Sequence, residues 1–498
     1  MQTQFYTTTV IMPTPVIYCA ITIVTGLAFM TILGPEELLM EFIVSGLPIY
    51  TIRLPGPRLY VVNSPSLISA VQRHVRTLSF SPFLARAASN LIAASKPGVE
   101  ILSQDEENGF ITRFHHFNHV SLSPGHNLDT VKRKAWKIMA SLPACGSVNS
   151  PRRVRMYEWI SNEVMMATTE AIYGSQNPFR KPAVRTAWSK YYSGMTHLMT
   201  GVMPSITARQ SIHGREALVQ AFAQYYGEGG LEDTEASPYI KDQYECFSQG
   251  GLKDPDIART GSAFSIALLS NIMPATFWTL YHIFSDPAIL QDCRKEISAA
   301  LQRDDSENYS LDLASVELSC PILVSTYTEA LRHHSTGISV RQALDDQLIG
   351  EYTLKKGAIV MIPAGTQHFN PSIWGETVNE FDHLRFLGTK GRLRSFGGGL
   401  TLCPGRHFAT STILGFAASS ILNFDMQPWS GRWVTPIVKN SSMSNSINQP
   451  DVDIDVELRC RTGQTWRPTF SGTKRTIQVA SEDANDPNAV FYNQTPRD

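Results

Sequence analysis

Apolar and polar positions first alternate regularly at Pro48-Ile49-Tyr50-Thr51-Ile52-Arg53-Leu54 and again at Arg58-Leu59-Tyr60-Val61-Val62-Asn63, on either side of Pro55-Gly56-Pro57. That pattern predicts two β-strands around a tight turn. Asn63-Ser64-Pro65 then has the form of a helix start. From about Ser121 to Tyr281 the apolar residues recur at helical spacing, punctuated at Gly125, Gly174, Pro178, Gly227 to Gly230 and Gly250-Gly251. Within this region Thr260 to Ser285 is a run of 26 residues without a formal charge. As one straight helix it would extend about 39 Å. Thr260, Ser262, Ser265, Asn271 and Pro274 make it too polar for a membrane span, so a central helix buried in the protein is expected.

A second apolar run, Val16 to Leu33, is near the lower length limit for crossing a bilayer, and no Asp, Glu, Lys or Arg precedes Glu36. Without a basic region before it, the run reads as an N-terminal membrane anchor helix rather than a cleaved signal. Arg53, Arg58 and Arg73, the first basic residues after it, place the body of the protein on the cytoplasmic side. The expected organisation is an anchor and short linker over residues 1–44, a body over 45–463 and a polar tail over 464–498. The tail contains little that could be buried, and is expected to be disordered.

The composition, 43% hydrophobic and 17% charged, allows a large core. A net charge of −1 and the absence of any dense basic run exclude nucleic acid as a natural partner. The seven cysteines are scattered without close pairs, so they form neither a disulfide framework nor a zinc site and suit a reducing compartment. Gly-x-Ser-x-Gly, P-loop and Gly-x-Gly-x-x-Gly motifs are absent.

Cys403 is the exception among those cysteines. It stands in Phe396-Gly397-Gly398-Gly399-Leu400-Thr401-Leu402-Cys403-Pro404-Gly405-Arg406-His407, a glycine-rich frame followed at once by a helical pattern. Glycines let backbone approach a flat ligand, and a helix opening near Arg406 would favour a thiolate at Cys403. A buried free cysteine on a turn is the alternative. The spacing Phe396, Gly399, Cys403, Gly405 resembles the haem-binding signature of the cytochrome P-450 superfamily. That resemblance implies a mainly α fold with a smaller β region, haem b (iron protoporphyrin IX) as cofactor, and Cys403 as the axial ligand of the iron. Residues 45–463 would then be the haem-thiolate catalytic domain.

Other motifs fall in the order that the superfamily requires. Pro321 can open a helix that places Glu329 and Arg332 one turn apart, and Phe381-Asp382-His383-Leu384-Arg385-Phe386 follows before Cys403. The resemblance makes Glu329, Arg332 and Arg385 a buried structural triad. Arg341, in the β-run Gly337 to Arg341, is the candidate for gripping a haem propionate, or else an ordinary surface arginine. Arg406 belongs to the same cofactor-binding set, and Lys390, Arg392, Arg394 and Arg406 flank the loop as a possible docking face for a reductase. Two usual propionate partners are missing, because Thr401 stands two residues before the cysteine and Trp136 is followed four positions later by Ala140. His126, Lys132, Arg133 or Lys134 could replace them. His115 and His119 would share a helical face, but no zinc-enzyme motif accompanies them.

In the central helix the family's usual acid–alcohol pair would fall near Met273-Pro274, which donate no proton. The stretch Ser270-Asn271-Ile272-Met273-Pro274 instead resembles the branch that contains bile-acid sterol hydroxylases and prostacyclin synthase. Pro274 frees a carbonyl near Ser270 and would kink the helix. Asn271 could then hold water, oxygen or a substrate oxygen, or simply be satisfied by backbone. The resemblance implies a membrane monooxygenase, single-pass in the endoplasmic reticulum and facing the cytoplasm. It would take O2, a lipophilic sterol-, terpenoid- or polyketide-like substrate, possibly from secondary metabolism, and electrons from an NADPH-dependent reductase. A haem isomerase or dehydratase that needs no reductase, and a haem sensor without turnover, are the alternatives.

Overall fold

Alternation of apolar residues builds the first two strands as expected, and the Pro55-Gly56 part of the expected turn lies outside the described residues. In the computed structural model, which describes residues 47–53, 57–105, 109–141, 151–303, 309–388, 393–440, 445–461, 465–473, 475–480 and 489–490, β1 (Ile49–Arg53) pairs antiparallel with β2 (Arg58–Val62), Ile49 opposite Val62. The anchor expected in residues 1–44 lies outside the described residues. Pro65 opens helix α1 (Pro65–Arg73), where its missing N–H costs nothing. The chain then supplies β3 (Leu78–Ser79), and the sheet is completed much later by β7 (Ile338–Ala343) and β8 (Ile359–Pro363), in the order β1-β2-β8-β7-β3.

The remainder is mainly helical. The principal helices used below are α2 (Phe110–Leu122), α3 (His126–Ala140), α4 (Met156–Tyr173), α5 (Pro182–Ser193), α6 (Arg209–Gly227), α7 (Pro238–Gln249), α8 (Asp254–Leu269), α9 (Ile272–Ser285), α10 (Pro287–Ala300), α11 (Leu313–Ser319), α12 (Pro321–His334), α13 (Ala364–His368) and α14 (Arg406–Asn423). Two small sheets brace them: β9 (Phe424–Pro428) and β10 (Asp455–Cys460) with β4 (Arg152–Arg155), and β5 (Leu301–Arg303) and β6 (Tyr309–Asp312) with β11 (Trp466–Thr469). The core runs along α9 and α14, both buried nearly all round, with Phe277, Trp278, Leu414 and Phe416 fully enclosed.

The central uncharged run is not one straight helix. It divides into α8 and α9 at Ser270-Asn271, because Pro274, in the first turn of α9, has no N–H to offer the Ser270 carbonyl. Asp254–Ser285 is the one stretch among the described residues long and apolar enough to cross a membrane, and most of it is buried within the protein. It is a core element, as its polar positions require.

The expectation of a disordered tail over 464–498 is corrected for its first half. Trp466 to Thr469 forms strand β11, parallel to β6, with Trp466 opposite Tyr309. Trp466 stacks on Trp136 at 5.6 Å, and the Trp136 indole N–H donates to the Thr469 carbonyl at 3.0 Å. Beyond it, Ser471 donates through its amide and hydroxyl to Asp312, and the Thr473 hydroxyl donates to Asp129 at 2.6 Å. Ile477, Val479 and Ala480 are buried. The segment is polar because its hydrogen-bonding groups meet partners on α3 and at the start of α11, not because it lacks a place to pack.

Candidate active site

Glu329 is wholly buried on α12, which is tolerable only because its carboxylate is saturated by cations and amides. Arg332, one turn along, reaches it twice, Nε to Oε2 and Nη2 to Oε1, both at 2.7 Å. Arg385 Nε donates to Oε1 at 2.9 Å, and the Asp382 amide donates to the same oxygen at 3.1 Å. The arginines also bind backbone: Arg332 Nη1 donates to the carbonyls of His368 and Val378, and Arg385 Nη2 to those of Thr377 and Glu380. The triad therefore ties α12 and α13 to the irregular chain before the cysteine loop. His383 sits outside it, 3.2 Å from Asp292 on α10.

Nothing in the local pattern marks His368, yet it passes the triad on to the loop. Its carbonyl accepts from Arg332, and its Nε2 accepts from the Arg394 amide at 3.0 Å. Burial, reinforced by Arg332 and Arg394, pushes its imidazole down to about 3, which fixes it as a neutral acceptor.

The loop itself is closed by one bond, from the Cys403 amide to the Phe396 carbonyl at 2.9 Å. Gly397 (φ 78°) and Gly399 (φ 59°) take up the left-handed conformations that such a tight return needs. A Cβ on Gly397 would stand 3.0 Å from the Thr401 carbonyl oxygen. At Gly405 the reason is different: no protein atom lies within 4 Å of where a Cβ would point, and the residue lines the cavity. Phe396, Cys403 and Gly405 thus share one wall of a cavity of about 440 Å³.

The expected thiolate bias from the protein alone is corrected. Burial pushes the Cys403 thiol up, and the Gly405 amide and the Arg406 guanidinium only oppose that trend. A metal cation, which deprotonates a coordinating thiol outright, has to supply the rest. Arg406 turns inward, donating to the Cys403 carbonyl at 3.3 Å, and Arg394 lines the cavity. Both arginines are partly buried, and Lys390 and Arg392 lie outside the described residues.

Arg341 lies on β7, only 5% exposed, and lines the same cavity. Its guanidinium donates to the Thr401 hydroxyl at 2.8 Å and to the Val340 carbonyl at 2.7 Å. No carboxylate faces it among the described residues, and burial pulls its pKa down. A buried cation with only neutral partners is matched to an anionic group that enters the cavity. Thr401, standing where an arginine or histidine is usual, acts as its tether. The four candidate replacements on α3 do not reach inward: Lys132 pairs with Glu317 at 3.0 Å, Lys134 pairs with Glu235 at 3.3 Å, Arg133 lies over Phe470, and His126 is exposed. Asp129, Lys132, Arg133 and Trp136 form one face of α3, and the chain beyond β11 covers it. His115 and His119 are exposed on α2, and no metal-binding cluster occurs among the described residues.

Another wall comes from the α8–α9 junction. Phe264, Ala267, Leu268 and Asn271 line the cavity, together with Ser446 and Ile447. The Asn271 Oδ1 accepts from the Ser446 amide at 3.1 Å, so the amide NH2 is the part of the side chain left for the cavity. Pro274 is buried behind it in the first turn of α9. The residues present therefore fit a flat, dianionic metal macrocycle: a thiol and open glycine backbone on its wall, an unneutralised arginine and apolar surroundings.

Comparison with known proteins points the same way. The model of the family described as Cytochrome P450 matches residues 238–454. The Cytochrome P450 monooxygenase nodJ of Hypoxylon pulicicidum is 33% identical over 464 residues, covering 89% of this chain and 87% of that protein. A Cytochrome P450 monooxygenase of Gibberella zeae is 24% identical, with 86% of this chain and 84% of that protein covered. Cytochrome P450 7A1 of Rattus norvegicus is 27% identical over 232 residues, or 42% of this chain and 46% of that protein.

Proposed function

Because the chain belongs to the cytochrome P450 family, with haem as its cofactor and mono-oxygenation as its reaction, we propose that it oxidises a lipophilic sterol-, terpenoid- or polyketide-like small molecule of secondary metabolism. The observation that carries the substrate class is the cavity, whose walls are mostly apolar and offer few polar handles, Asn271, Ser339 and Ser446 among them. Cys403 would hold haem through its sulfur, and the haem would supply the oxygen-activating chemistry.

The chain's own residues do the rest. Gly405 keeps backbone, not a side chain, on the cavity wall where the macrocycle would lie, and Gly397 allows the tight return of the loop beside it. Arg341, held by Thr401, would pair with a propionate and so gain the anion that its burial calls for. Phe264, Ala267 and Leu268 exclude water. The Asn271 NH2 donates to an oxygen or an ordered water in the cavity, the role that an acid–alcohol pair would otherwise fill. The electrons come from a separate NADPH-dependent reductase, and residues 1–44 hold the protein on the endoplasmic reticulum with its body in the cytoplasm.

Incubation of the reconstituted protein with candidate lipophilic compounds, with and without reductase and NADPH, tests this reading. Product that carries one atom of labelled O2, formed only with both, is expected. A second reading, isomerisation or dehydration of an oxygenated substrate, is favoured by the absence of a proton-donating pair at Met273-Pro274. Product without reductase or label would establish it in place of the first.

A further inference from the structure

Asn271 does not hold its own orientation. The amide that fixes it belongs to Ser446, in a stretch, Asn445 to Gln449, that lies outside every helix and strand, with one isolated β-bridge, Ile447 to Ser335, and the Ile447 side chain buried in the main core. Without a helix or strand ladder, the backbone on either side of Ile447 is positioned by individual hydrogen bonds. Two of them tie it to the end of α12 and the connection that leads to β7: the Asn448 amide donates to the His334 carbonyl at 3.0 Å, and the Thr336 amide donates to the Ser446 carbonyl at 2.9 Å. The Asn448 carbonyl in turn accepts from the Trp278 indole at 2.8 Å.

The Thr336 hydroxyl lies 3.4 Å from the Asn445 carbonyl and 3.2 Å from Asn448 Oδ1, and two further bonds converge on one atom. The Tyr192 hydroxyl, on α5, donates to Asn445 Oδ1 at 2.7 Å and accepts from Gln449 Nε2 at 2.9 Å. It clamps the two ends of the segment together, directly flanking Ser446. Its ring is held by stacking on Trp188 with centroids 5.0 Å apart, and it does not line the cavity. We propose that Tyr192 is a positioning residue for the oxidation: by clamping Asn445 and Gln449 it sets the place of the Ser446 amide, which aims the Asn271 NH2 into the cavity. The inference rests on the reading of Asn271 as the cavity's donor. Misplacement on the order of 1 Å by a change remote from the chemistry can cost about 100-fold, so an indirect clamp is worth having.

Carbon monoxide bound to the reduced, haem-loaded protein is the probe, because a donor beside it lowers its infrared stretching frequency. Asn271→Ala should raise that frequency. Tyr192→Phe, which keeps the ring and its stacking, should move the band in the same direction and speed hydrogen exchange at the Ser446 amide by about 10-fold, as expected when a protecting bond loosens. Asn445→Ala removes the same clamp from the other side and should reproduce both changes. In the Asn271→Ala background, Tyr192→Phe should move the band no further, since the two act through one atom. A wild-type band and wild-type exchange in Tyr192→Phe and Asn445→Ala would overturn the inference and leave the Asn271 reading intact, as would an undiminished shift in the double variant. An unmoved band in Asn271→Ala would remove the reading itself, and the inference with it.

Discussion

The two sides of the cavity are built on opposite plans. Beneath the cysteine loop each buried charge is answered several times over, Glu329 by two arginines and an amide and those arginines by four carbonyls, and the neutral His368 accepts from the Arg394 amide. At the α8–α9 junction a single amide–carbonyl contact holds Asn271, on a segment without secondary structure. The first plan gives rigidity, because no member can move without stranding another. The second leaves a donor adjustable by small changes in a loop, which suits the part of a site that must meet a particular substrate.

The sharpest break of that comparison is Cys403→Ala. It should abolish the thiolate-type band in the carbon-monoxide difference spectrum and reduce turnover to background, and a surviving band would reassign the ligand. Next in size is Glu329→Gln, which leaves Arg332 and Arg385 uncompensated in the interior and should cost about 3–5 kcal/mol in urea unfolding. A loss below about 1 kcal/mol would mean that the triad carries no more than an exposed ion pair.

Acid should weaken the same side. The His368 imidazole sits at about 3 in the folded protein, below the ordinary value of 6.5, so the unfolded chain binds a proton that the native state refuses. Its contribution is complete above pH 6.5 and is lost as pH falls toward 3, at up to about 1.4 kcal/mol per pH unit. His282 and His334, whose Nε2 atoms meet at 2.9 Å, are pushed down by burial and steepen the decline. Unfolding free energies at pH 7.5 and 5.5 check the sign.

Trp466→Ala tests whether the folded tail belongs to the rigid side. Losing a half-buried indole stacked on Trp136 should cost about 2 kcal/mol and loosen the α3 face. The smallest effect on stability is expected from Asn271→Ala, which should leave the unfolding midpoint nearly unchanged while more NADPH is consumed per product formed. Unchanged coupling would show that the adjustable side takes no part in delivering protons.

The same contrast governs what was legible beforehand. Glu329, Arg332, Arg385, Phe396 and Cys403 were marked by the resemblance to the family; the Glu329–Arg332 and Phe396–Cys403 pairs are local, while Arg385 meets Glu329 across 56 positions. The opening hairpin was legible from its alternation and turn. The break at Ser270-Asn271 followed from a proline's missing N–H. Which cations enter the cavity was not legible: Lys132 and Lys134 are claimed by Glu317 and Glu235, acids remote from them in sequence, while Arg341 has no carboxylate opposite it among the described residues. Nor was the folding of Trp466 to Ala480, whose polar composition looks the same whether its groups meet water or Asp129 and Asp312.

By itself, then, the chain's sequence determined the helix break, through a proline's stereochemistry, and through its family motifs it marked the ligand loop, the triad and Arg341. Only the tertiary structure decided that Arg341 faces the cavity and not solvent, how the tail packs, and that the Asn271 amide is aimed by a residue 175 positions away. Side-chain direction is settled by whichever partners the fold brings within hydrogen-bonding distance, and no local pattern records them.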